Sequence, residues 1–109
     1  MLRLEVQHHP QFTVLRCSGR IVHGDGADTL LQAVMELPER HVHIDLVNVD
    51  AIDASGLGVL VRLEKWANDG NRMLHLTNVP KRVQEAIETT KLTTVLQLGE
   101  HAEDFDDAA

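Results

Sequence analysis

The residue pattern of this chain predicts an α/β fold: an open mixed β-sheet of about five strands with helices mainly on one face. Three observations carry that expectation. Short β-forming runs alternate with amphipathic stretches in the order β-β-α-β-α-β-α-β. The first two strands are separated only by a turn, so they pair antiparallel, whereas the later ones are joined by helix-length connections and need parallel, right-handed crossovers. The helices are too few to cover both faces, which leaves the second face partly exposed.

Leu2, Leu4 and Val6 alternate with polar residues as in an edge strand, and His9-Pro10 turns the chain into a second β-forming run from Phe12 to Ser18, closed by Gly19. Asp25 and Asp28 stand where an N-cap and an N3 carboxylate belong, and Ala27, Leu30, Leu31 and Val34 follow at helical spacing until Pro38. From His41 to Leu46 alternation is strict: Val42, Ile44 and Leu46 share one face, and His41, His43 and Asp45 the other. The next apolar run, Ser55 to Asn68, is the central helix, stopped by Asp69-Gly70-Asn71. Met73 to Thr77 is a short strand. Pro80 opens a helix carrying Val83, Ala86, Ile87 and Thr90, and Thr94 to Leu98 is the expected closing strand.

With 109 residues, 43% of them hydrophobic, the chain suits one domain over residues 1–99 followed by an acidic tail over 100–109, where Glu100, Glu103, Asp104, Asp106 and Asp107 crowd together. The net charge of −7 argues against a grip on nucleic-acid phosphate. No apolar run is long enough for membrane insertion and the N-terminus has no leader pattern, so a cytoplasmic location is expected. Cys17, a single cysteine in an apparent strand, reads as core.

The chemistry-bearing segment runs from Val49 to Val61, where Asp50, Asp53, Ser55, Gly56 and Gly58 gather at a loop entering the central helix. Such an entry presents unpaired backbone N–H groups to an anion. On the plainer reading Ser55 only caps the helix and the two glycines permit close helix–sheet approach. Hydrolase and nucleotide templates do not fit: Ser55 has Asp53 and Leu57 two residues away on either side, and no Gly-Lys-Ser/Thr ending is present. No base–nucleophile pair marks an enzyme, so no catalytic residue and no cofactor is expected. The seven histidines include His41 and His43 beside Asp45, but their ordinary explanation is pendant polar groups on a solvent-facing strand, and no metal is expected.

The stretch from Ile44 to Val61 resembles the STAS domain, named for sulphate transporters and anti-sigma factor antagonists. It is similar to that family's strand, loop and Asp-Ser-(Ser/Thr/Ala)-Gly-Leu-Gly helix entry. Gly19-Arg-Ile21 resembles the early Gly-x-Leu/Ile turn, and Gly70 to Pro80 and Thr90 to Leu96 resemble the later strand and closing turn. The match is to the small free-standing members. It implies an anti-sigma factor antagonist that binds an anti-sigma factor of the serine-kinase type, or another regulatory protein, in a partner-switching pathway, as a monomer or weak dimer.

The resemblance also implies a partner surface of Asp53, Ala54, Ser55, Gly56, Leu57, Gly58 and Val61. In phosphorylated members the acceptor hydroxyl directly follows the Asp; here Ala54 stands there, and Ser55 is the phosphorylation candidate. Where many members carry an acid after the early turn this chain has Val22, with Asp25 three residues on. The alternative is a constitutive, unphosphorylated STAS adaptor or subunit, for instance of a transporter ATPase. A third reading is direct binding of a small anion or nucleotide near Ser55.

Overall fold

The computed structural model describes residues 1–92, 96 and 98–99. The elements are β1 (Arg3–His8), β2 (Thr13–Ile21), α1 (Ala27–Met35), β3 (His41–Ile52), α2 (Ala54–Asp69), β4 (Met73–Thr77), α3 (Lys81–Thr89) and β5 (Leu98–Gly99). They form one mixed sheet in the order β1-β2-β3-β4-β5, with β1 antiparallel to β2 and every later pair parallel. Four longer strands, β1 to β4, form the body of the sheet, and where a closing strand is expected over Thr94 to Leu98 the described residues Leu98 and Gly99 pair with Leu76 and Thr77. Residues 93–95, 97 and the acidic tail at 100–109 lie outside the described residues.

The strand order explains where the helices go. Each parallel strand is added on the same side of its predecessor, so three right-handed crossovers place α1, α2 and α3 on one face. Leu15, Cys17, Val42, Ile44, Leu46, Leu74 and Leu76 point into that layer and meet Leu30, Val34, Leu60, Leu63, Val83 and Ile87 in a single core. Cys17 is part of it, and burial pushes its thiol up to about 12, which keeps it protonated and inert.

Both long strands outrun their expected ends. β2 continues through Gly19 (φ 119°) to Ile21, and β3 continues six residues past Leu46, the two strands staying paired across two register shifts. The turn after β2 also overrides the expected cap of α1. Asp25 N–H and Val22 N–H each donate to the other's carbonyl at 3.0 Å, and the cap position falls on Gly26 with no side-chain bond. The Asp25 carboxylate instead accepts from the Met1 ammonium at 3.1 Å.

The second face is less open than the pattern suggests. His43 is 0% exposed and Asp45 1%, so neither is a pendant solvent-facing group. Asp45 ties three strands together: Arg16 Nε of β2 donates to it at 3.1 Å, Asn78 Nδ2 beyond β4 at 3.1 Å, and Val47 N–H at 3.0 Å. A carboxylate taken out of water needs this full set of donors. Replacing Arg16 by Met leaves Asp45 without its cation, and chemical denaturation is expected to show a loss of about 2 kcal/mol.

Candidate functional site

The site is built where β3 ends and α2 begins, against the turn that follows β2. Ile52 is the last strand residue, and Asp53 (φ −120°) leaves extended backbone to cap the helix. One carboxylate oxygen of Asp53 accepts from Gly56 N–H at 2.9 Å, and the other accepts from His23 N–H at 2.9 Å. The His23 amide, followed by that of Gly56, holds the Asp53 carboxyl below its usual range, so it is anionic at neutral pH. Asp53 is therefore both the helix cap and the clamp on the β2–α1 turn.

This corrects the plainer reading of Ser55. The cap is Asp53, Ala54 opens the helix, and Ser55, half-buried, lies one residue further in. The hydroxyl at position 55 is not used for capping. The carboxylate of Asp53 takes that role, one oxygen accepting from the helix amide of Gly56 and the other reaching the neighbouring turn at His23.

The two glycines have different functions. A Cβ on Gly56 would stand 2.0 Å from the carbonyl oxygen of Ile21 and 2.7 Å from Ile52, so only glycine lets α2 start this close to the end of β2. Among the described residues a Cβ on Gly58 would meet nothing within 4 Å, and Gly58 is exposed. Within the first turns of a helix an exposed glycine costs about 1 kcal/mol relative to alanine, and no packing among the described residues requires it.

Of the residues expected to form a partner surface, Ala54 and Gly58 are exposed, and Asp53, Ser55 and Val61 are partly so. Gly56 and Leu57 are buried, Leu57 at 7% exposure, which corrects the expected role of Leu57 as an outward apolar contact. At helical spacing it falls on the stripe with Leu60 and Glu64, both buried in turn. The sequence reading missed His23, whose backbone N–H clamps Asp53, because a backbone donor leaves no trace in residue type. Val22, where an acid was the expected type, is 9% exposed and packs inward. Among the described residues no group of three His, Cys, Asp or Glu side chains is arranged to hold a metal ion, and no helix is long and apolar enough to cross a membrane.

The two glycines make a paired stability measurement. Gly56→Ala is expected to lower stability by about 1–3 kcal/mol through overpacking against the Ile21 carbonyl. Gly58→Ala is expected to raise it by about 0.5–1 kcal/mol, both read from urea midpoints.

Comparison with known proteins follows the same geometry. A family model described as "Mlab, STAS domain" matches residues 4–98. An anti-sigma-B factor antagonist of Staphylococcus epidermidis is 31% identical over 62 residues, a stretch that spans 57% of this chain and 57% of that relative's length. An anti-sigma F factor antagonist of Paenibacillus polymyxa is 24% identical over 100 residues, covering 89% of this chain and 86% of the relative. Among solved structures, a putative anti-sigma factor antagonist from Thermotoga maritima superposes with a TM-score of 0.86 at 15% identity, over 96% of this chain and 92% of that one, which is a likeness of fold.

Proposed function

This chain belongs to the STAS domain family, and from that premise we propose that it is an anti-sigma factor antagonist whose partner docks on the first two turns of α2. The relatives named as anti-sigma factor antagonists support the general role. The observation that carries the docking surface is Gly58: an exposed glycine in open space, paid for in helix stability and not required by packing among the described residues. A side chain is absent there because a partner approaches the helix backbone closely. Ala54 and Ser55 flank that spot on the N-terminal side and Val61 on the C-terminal side, while Asp53 presents the turn through its bond to His23. Gly56 and Leu57 act from beneath, seating the helix on the sheet.

The partner is an anti-sigma factor of the serine-kinase type, and Ser55 is the residue it phosphorylates. Ala54 has no hydroxyl to offer, whereas Ser55 is partly exposed and free of the capping role. A phosphoryl group there adds roughly −1.5 to −2 charges beside the Asp53 carboxylate, in a surface shaped for neutral, small residues. Repulsion and desolvation then oppose docking, which is how modification releases the partner.

The test uses the purified chain, a kinase-type anti-sigma factor and ATP, read by intact mass and by pull-down. Gly58→Glu and Ala54→Glu, both at exposed positions, are expected to keep the thermal midpoint within a few degrees while reducing capture at least ~10-fold; undiminished capture by both variants rejects the docking surface. A single phosphoryl group on the wild type and none on Ser55→Ala is the expected mass result. Binding with no modification at all would leave the docking surface standing and reject Ser55 as its control.

A further inference from the structure

On the sheet face without helices, β3 and β4 bring three imidazoles side by side. Ring centroids lie 5.3 Å apart for His41 and His43, 5.3 Å for His41 and His75, and 5.1 Å for His43 and His75. The register explains it: His43 sits directly opposite His75, and His41 is two residues along the same strand on the same side. Phe12 stands edge-on to His43 at 5.0 Å, and His9 stacks on Phe12 at 4.5 Å. His43 is completely buried, and His41 Nε2 is buried without a hydrogen-bond partner among the described residues.

We propose that this imidazole layer is an acid-sensitive latch: neutral, the rings pack as one aromatic layer with Phe12, and protonated, they repel one another around the buried His43 ring and release the β3–β4 half of the sheet. This is independent of the partner reading and concerns the opposite face.

The groups that surround the layer do not favour a charged ring. From β2, Val14 lies beside His43 in register, and Arg16 adds a fixed positive charge. From the β1–β2 turn comes His9, and from β4 the neighbours on this face are Met73 and Thr77. The carboxylates that share this face among the described residues, Glu5 of β1 and Asp45 of β3, are both directed at Arg16, at 3.6 Å and 3.1 Å. Burial, followed by the charges of His75, His41 and His9, lowers His43 from 6.5 to about 4, and burial with His41 lowers His75 in the same direction. In the unfolded chain these rings take up protons at the ordinary value. The stabilisation is therefore complete above about pH 6.5 and is lost as pH falls from there toward 4.

The test follows the imidazole resonances of the full chain from pH 8 to 4.5 and, separately, urea midpoints at pH 7.5 and 5 for the wild type and His43→Phe. His43 is expected to stay neutral to below pH 5. Between the two pH values the folding equilibrium constant of the wild type is expected to fall by on the order of 10-fold more than that of His43→Phe, which keeps an aromatic ring at the position. A His43 ring that titrates like a free histidine overturns the proposal, and so do parallel pH profiles for the two proteins. The ring titration needs no variant, so it decides the matter even if His43→Phe does not fold.

Discussion

The approach of α2 to the end of β2 leaves no clearance: the α-carbon of Gly56 comes so near the Ile21 carbonyl that even a methyl group is excluded. Much of the functional region depends on that contact. It brings the first turn of α2 alongside the turn after β2, so that one carboxylate, Asp53, can bond Gly56 and His23 at once. The cap then orders the helix start and the turn together. A surface made from two chain segments 30 residues apart behaves as one because a glycine lets them touch and an aspartate ties them.

The division of labour between Gly56 and Gly58 follows from helix geometry. Two residues apart, they point about 200° away from one another around the axis, so one must face the sheet if the other faces outward. Both lack a side chain in opposite surroundings: at one the interior is full, at the other a Cβ would meet open space among the described residues. Leu57, between them, goes inward with the core stripe and supplies the apolar anchor that keeps the helix seated.

The two faces of the sheet use different physics. Helices seal one with aliphatic side chains at the spacing a right-handed crossover imposes. On the other, polar types are buried without helices above them, Asp45 through a closed set of donors and His43 through ring packing. Aliphatic burial is insensitive to pH, whereas imidazole burial is not, so the two faces respond differently to acid.

Element order, strand orientation and the one-sided helix layer were legible in the sequence, because alternation, helical spacing and connection length are local properties that restrict topology strongly. The helix entry from Asp53 to Val61 was legible too, through its likeness to the STAS pattern. What only the tertiary structure decided were the roles within it. Capping passed from Ser55 to Asp53, Leu57 turned inward, the cap of α1 moved off Asp25, and on a histidine strand face expected in solvent His43 became fully buried. Each of these depends on what a neighbouring strand or turn places opposite the residue: the His23 amide, the core stripe, the Val22 carbonyl, the ring of His75. Residue type and spacing record which groups a chain carries, but not which distant groups the sheet register will set against them.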